Sequence, residues 1–432
     1  PHVERRRTAD PGTNLRTPIR VGPTLKVMNL DAKRDALLEE ELCDHCLGRQ
    51  FAQLGHGLEN YERGAIARQN EEISKEDFDP EEVPESAEPG GTCEVCQGVF
   101  NELDRWIGLV EDSMERYGAD TFLLGIRPPT AAVEAEEQLW ESYGAMDAET
   151  MKTELSRLIG KRIEHETGLT VDFKRPDLNP VLDMNHDRVE LQVNSLLVYG
   201  QYNKYSREIP QTVWHCRKCR GDGCEQCDWT GKNYATSVQE EIQPPFMRET
   251  EAIEAKFHGG GREDVDARCL GKREFVLELV EPLHRDLNLE QLQEEVNHSD
   301  KIEVFGLRPA DKDEIEEIKE KHADKTYRAY IETSKEPEEL ELEELKSLEG
   351  DVKQRTPERV EHRRADKTRR REVLDVDWNV EDGQLVLEVT AEAGTYIKEL
   401  VSSDEGRTQP SVAGLLDTEA EVELLDVTWI EK

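Results

Sequence analysis

The segment Lys256-Phe257-His258-Gly259-Gly260-Gly261-Arg262-Glu263-Asp264-Val265-Asp266-Ala267-Arg268 sets carboxylates among arginines directly after three glycines. A carboxylate beside arginine is stabilised in its ionised form and can serve as a nucleophile or base near neutrality. The glycines form a turn able to present Arg262 and Asp264. A phosphate-cradling P-loop is excluded, because no Gly-Lys-Ser/Thr follows. An oxyanion loop of the HGGG type finds no Gly-x-Ser-x-Gly nucleophile elbow to serve. On these residues alone, a surface ladder of ion pairs among Arg262, Asp264, Asp266 and Arg268 stands beside the catalytic reading.

The second chemistry is thiolate. Eight of the 9 cysteines fall into CxxC pairs: Cys43/Cys46, Cys93/Cys96, Cys216/Cys219 and Cys224/Cys227. Two such pairs close a tetrahedral structural zinc site. Cys43, Cys46, Cys93 and Cys96 are expected to form one, across an acidic, proline-bearing insertion (Glu71 to Glu88). Loop closure costs grow only logarithmically with length, so the insertion does not prevent this. Cys216, Cys219, Cys224 and Cys227 form a tighter second candidate around Arg220-Gly221-Asp222-Gly223, with a redox pair as the alternative. Cys269 is expected to be a buried thiol.

Three strings in order resemble the pseudouridine synthases. Gly261-Arg262-Glu263-Asp264 is similar to their GRxD signature, Lys325-Thr326-Tyr327-Arg328-Ala329 to K-x-Y-x-A, and Gly394-Thr395-Tyr396-Ile397-Lys398 to G-T-Y-I-K/R. Within the family, the chain from about Leu42 onward resembles the archaeal and eukaryotic tRNA enzymes that modify T-loop uridines 54 and 55. The string GREDVDARCLG, the Cys-Arg-Gly-Asp-Gly-Cys cluster, Gly406 to Ser411 and His362-Arg363-Arg364-Ala365-Asp366 add to the match. The acidic loading, including the insertion between Cys46 and Cys93, departs from it.

The resemblance implies a catalytic Asp264, with Tyr327 stacked on the target base and Tyr396 as a second contact. It implies that Lys398 pairs with Asp264 and that Arg262 helps bind substrate. Zinc would be structural, and no organic cofactor is implied. The partner would be the T-loop and stem of tRNA, not DNA or membrane, and the protein a monomer. A target uridine must leave its stack, at a cost of a few kcal/mol that aromatic stacking can offset in part.

These residues need several elements to carry them, and 432 residues is too long for one ordinary core. The fold class expected is α+β or α/β and multidomain. It comprises a polar tail (1–30, with Arg5-Arg6-Arg7), a zinc-binding region (31–110), a THUMP-like α/β RNA-binding domain (111–212), a four-cysteine cluster (213–235) and a pseudouridine synthase domain (236–432) with a mixed, largely antiparallel sheet. Helical patterns run from Val27 to Cys46, Val99 to Tyr117 and Ala132 to Glu166. Strand patterns include Thr121 to Arg127, Leu169 to Phe173, Val181 to Met184 and Val189 to Tyr199.

The formal charge of −40 would by itself count against a nucleic-acid partner. Acid spread over the whole chain is instead how proteins stay soluble in concentrated salt, so a halophilic source is expected. The Debye length there falls to about 3 Å near 1 M salt, and the acidic background repels RNA only at short range. Basic residues cluster from Lys353 to Arg371, a phosphate-contact candidate or a solvated face paired with the acidic stretch before it. No apolar run reaches membrane-span length and the start does not resemble a signal peptide, so a cytoplasmic location is expected. Two alternatives remain. A zinc-bearing tRNA chaperone or processing adaptor would bind without isomerising. An RNA methyltransferase would need a Gly-rich nucleotide loop after a strand, which the sequence lacks.

Overall fold

The computed structural model describes residues 29–361 and 365–431. The Arg5-Arg6-Arg7 tail and His362-Arg363-Arg364 of the basic run lie outside them. By internal packing the chain divides into two units, one holding residues up to Asp112, Leu124–Gly168 and Val181–Glu190, the other Ser113–Leu123, Leu169–Pro180 and Leu191 onward. No helix among the described residues is long and apolar enough to cross a membrane.

The first unit is helical. α1 (Leu30–Leu38) starts where the Asn29 side chain accepts the Ala32 amide at 2.8 Å. The continuous helix expected to Cys46 breaks, because Cys43 takes extended backbone as the N-cap of α2 (Asp44–Gly48). α3 (Asn60–Gln69) opens with a Glu59/Glu62 capping box. The acidic insertion is anchored as well as exposed: Ile73 and Phe78 are buried, and Phe78 stacks on Phe51 at 5.6 Å. α4 (Leu103–Met114) realises the amphipathic segment.

The single helix expected over 132–166 is two, α5 (Thr130–Tyr143) and α6 (Met151–Thr167). Gly144 parts them at φ 77° and ψ 153°, a conformation open essentially to glycine. Buried Arg49 ties these helices to the N-terminal region, pairing with Glu136 at 2.9 Å and Glu154 at 3.1 Å, while His45 meets Glu154 at 2.7 Å.

Five short strands make a small sheet in the order β2-β4-β1-β3, with β5 on β4: β1 (Thr121–Phe122), β2 (Gly125–Arg127), β3 (Thr170–Val171), β4 (Leu178–Asp183) and β5 (Arg188–Val193).

The second unit is built on a ten-stranded sheet ordered β14-β11-β12-β13-β10-β15-β8-β6-β9, with β7 also on β8. Its strands are β6 (Leu196–Lys204), β7 (Glu254–Gly259), β8 (Ala267–Val280), β9 (Ile302–Pro309), β10 (Lys325–Thr333), β11 (Gly350–Arg355), β12 (Thr368–Glu381), β13 (Gln384–Ala391), β14 (Thr408–Gln409) and β15 (Ala420–Ile430). The sheet is mixed and largely antiparallel, as expected, with β15 and β8 parallel. The pattern read as one strand from Val189 to Tyr199 turns at Asn194–Ser195, and its second half, β6, hydrogen-bonds to β8 and β9. Residues 191–212 therefore pack with the second unit.

Two large cores and a smaller cluster pack on this sheet. One packs β6, β8 and β9 against α7 (Val238–Thr250) and α8 (Leu289–Val296), around Tyr202, Phe246 and Phe275. α9 (Lys312–Glu320) packs Ile318 against Leu197 of β6 and Val276 of β8, and α10 (Glu358–Glu361) buries Val360. The other core packs β10 to β13 against α11 (Ile397–Ser402) and α12 (Val412–Leu416). The β12–β13 hairpin turns at Asp382-Gly383, both with positive φ, the backbone that a two-residue hairpin demands.

Candidate active site

Asp264 lies on the loop joining β7 to β8, immediately before β8 meets β15 at the parallel pairing of Ala267 with Leu425. Gly261 takes φ 76°, which lets the chain leave β7 without strain. Arg273, buried on β8, donates to the Gly260 carbonyl at 2.9 Å, and Gln211 donates to that of Gly261 at 2.8 Å. The loop is thus held through its main chain by two buried side chains.

Asp264, Arg262, Tyr327, Tyr396 and Lys398 all line one cavity of about 470 Å³. β10 supplies Tyr327, on the same strand face as buried Ala329 and Ile331, so its ring sits where the core ends and the cleft begins. Burial pushes its phenol up to about 12, with the Arg273 charge opposing and that of Asp264 adding. Tyr396 precedes α11, and its backbone is gripped by one buried side chain: Gln354 Nε2 donates to the Tyr396 carbonyl and Gln354 Oε1 accepts its amide, both at 2.9 Å. The segment 392–398 thus presents Tyr396 and Lys398 from a fixed backbone.

The charge pairing differs from expectation. Lys398 Nζ sits 2.6 Å from Asp266, and the cation on Asp264 is Arg359 of α10, whose Nη1 lies 3.3 Å from Oδ2. Arg359 also holds buried Glu399 at 2.6 Å, so α11 fixes the guanidinium that reaches Asp264. Burial acts to raise the Asp266 carboxyl, but the Lys398 hydrogen bond and charge outweigh it and hold it below its ordinary value. The surface ladder also fails to form as written. Arg262 lies over the Trp214 ring at 5.3 Å, and Arg268 goes to Asp426.

Lys325 of the second string, on β10, and Arg371 of the basic run, on β12, also line the cleft, together with Lys319, Lys321 and His322 at and after the end of α9, which the sequence did not single out. Lys319 to His322 lie in a mixed-charge stretch with no local excess to flag them, and Arg359 was visible only as one of a basic run. Burial, helped by the Arg273 charge, lowers the Lys325 ammonium to about 8. The arrangement combines a carboxylate paired with arginine, two tyrosines and a surround of basic side chains, which suits a polyanion presenting a flat base.

The thiols gather as two groups, Cys43/Cys46/Cys93/Cys96 and Cys216/Cys219/Cys224/Cys227, each able to hold a metal ion. Tetrahedral zinc with bonds of about 2.3 Å puts its sulfurs about 3.8 Å apart. The Cys43–Cys96 pair is at 3.7 Å, Cys216–Cys224 at 3.9 Å and Cys219–Cys227 at 3.8 Å. These separations are far beyond a disulfide's roughly 2 Å and fit a shared ion. Arg49 Nη2 reaches Cys46 Sγ at 3.5 Å, a counter-charge for the first group. Cys269 is buried, as expected.

Family models match both parts of the chain: "Pus10, C-terminal" over residues 197–431 and "Pus10 THUMP domain, archaeal" over 106–183. The chain is 40% identical over 405 residues to the tRNA pseudouridine synthase Pus10 of Halorubrum lacusprofundi, covering 90% of this chain and 93% of that protein. It is 39% identical over 426 residues to the protein of the same description from Methanopyrus kandleri, covering 92% and 97%.

Proposed function

This chain belongs to the Pus10 family, and from that premise we propose that it is a tRNA pseudouridine synthase, an isomerase that converts uridine to pseudouridine at T-loop positions 54 and 55. The single observation that supports this most is the convergence of Asp264, Tyr327 and Tyr396 on one cation-lined cavity, from three separate stretches of chain.

In this reading the target uridine leaves its stack and enters the cleft, where Tyr327 takes the base face and Tyr396 a second contact. Asp264 acts at the ribose or the base as the glycosidic C–N bond breaks. The uracil turns and re-bonds through a ring carbon, which gives up its proton while the freed ring nitrogen gains one, so no atom is gained or lost overall and no redox cofactor is required. Arg359 pairs with Asp264 and aims it, while Lys398, held by Asp266, remains near enough to meet substrate phosphate. Arg262 on Trp214 and the cations around Lys321 contact the T-stem backbone.

Both thiol groups hold structural zinc, with no open position for catalysis. The working division is a zinc-bearing, THUMP-containing front part that binds tRNA and a catalytic part from β6 onward, acting as a cytoplasmic monomer. The test is an unmodified tRNA transcript incubated with the protein in high salt and mapped for pseudouridine. Product at 54 and 55 supports the reading; product elsewhere removes the position, and binding without product removes the reaction.

A further inference from the structure

A lysine the motifs do not include lies directly behind the catalytic loop. Lys204, at the end of β6, is fully buried. The β6–β8 register shifts between Tyr202 and Lys204, and Tyr202, Asn203 and Lys204 are all buried where a regular strand would alternate. Its ammonium has three N–H donors, and three main-chain carbonyls lie in reach: Ile209 at 3.0 Å, Asp264 at 3.1 Å and Val265 at 2.9 Å. The nearest carboxylate, Glu263, is 3.9 Å away. A buried charge is costly, and a methionine would fill similar space without that cost. What the ammonium supplies here is direction, because its hydrogen bonds go to backbone carbonyls, with Glu263 only a more distant counter-charge.

The rest of the network points the same way. Glu263 turns inward, 2.9 Å from Arg273 Nε and 3.1 Å from the Tyr202 hydroxyl. Gln211 joins the Tyr202 hydroxyl at 2.9 Å to the Gly261 carbonyl at 2.8 Å. With Glu263 drawn in and the consecutive carbonyls of Asp264 and Val265 tied, the Asp264 side chain is left facing the cleft beside Arg359.

We propose that Lys204 and Gln211 form a main-chain clamp that positions Asp264 for reaction. The inference rests on Asp264 being the catalytic carboxylate of the isomerase. Neither residue touches substrate; both are positioning residues. Misplacement of a reacting group by about 1 Å can lower turnover about 100-fold, and a clamp on the carbonyl of the catalytic residue controls displacements of that size.

The experiment uses the full chain as purified, with unmodified tRNA transcript in high salt. Lys204→Met is checked for folding by circular dichroism and thermal melting, then for tRNA Kd, KM and kcat. The clamp predicts a folded variant with Kd and KM within about threefold of wild type and kcat lower by about 100-fold. Gln211→Leu, which frees the Gly261 carbonyl and the Tyr202 hydroxyl, shows the same split with a smaller loss, and it decides the matter should Lys204→Met not fold. Wild-type kcat in whichever variant folds overturns the proposal, as does a loss matched by the unfolded fraction. Absence of pseudouridine from the wild type, or wild-type turnover by Asp264→Asn, would instead overturn the parent reading and the clamp's purpose with it.

Discussion

At the scale of the residue, the site turns on which cation meets which carboxylate. Asp264, Tyr327, Tyr396 and Lys398, the residues named by the motif strings, line one cavity, and each string is short enough to keep its residues on one loop or strand end. The strings could not reveal that Arg359 reaches Asp264 while Lys398 is taken by Asp266, since that depends on where α10 and α11 fold back. Arg359→Met is therefore expected to lower kcat by about 100-fold, the lower end of the range for loss of an electrostatic stabilising group, with tRNA binding nearly unchanged. Steady-state kinetics on one tRNA separates the two quantities. Lys325 gives a pH signature. With its ammonium lowered to about 8, it is charged below that pH and neutral above it, so the cleft loses a cation as pH rises from 7 to 9. KM for tRNA should rise across that interval in the wild type and much less in Lys325→Arg; a flat wild-type profile would contradict the assignment.

At the scale of the element, packing decided what periodicity left open. The helix expected over 132–166 was legible as apolar spacing, but its break depends on the backbone freedom of Gly144. β6 looked like a continuation of the front α/β region because nothing local marks which sheet a strand will join. Gln354 and Lys204 carry no motif, and their importance lies in main-chain partners far away in sequence. In the first unit, Arg49 is buried with Glu136 and Glu154. Glu154→Ala leaves His45 without a carboxylate and that guanidinium with Glu136 alone, and breaking such a buried pair typically costs about 3–5 kcal/mol. Chemical denaturation should show a loss of that order; one under about 1 kcal/mol would mean that water or another group compensates. Chelation should act at the same scale. Removing metal from the thiol groups is expected to lower Tm and release zinc in proportion, and an unchanged Tm on complete metal loss would argue against a structural role.

At the scale of the whole molecule, a charge of −40 coexists with a cation-lined cleft. Composition made the acidic surface plain, whereas the cations that gather at the cavity come from α9, β10, α10 and β12 and converge only on folding. Self-repulsion at low salt, where the Debye length is about 10 Å near 0.1 M, should loosen the fold, and screening near 1 M should restore it. Tm is expected to rise steeply with KCl over that range, and a fall would contradict the halophilic reading. The account depends above all on one carboxylate held by a buried scaffold and facing two tyrosines. The most direct test is Asp264→Asn assayed beside the wild type on unmodified tRNA, with pseudouridine mapped and tRNA binding measured in parallel. The account predicts binding close to wild type and no pseudouridine above background; wild-type turnover by the variant would contradict it.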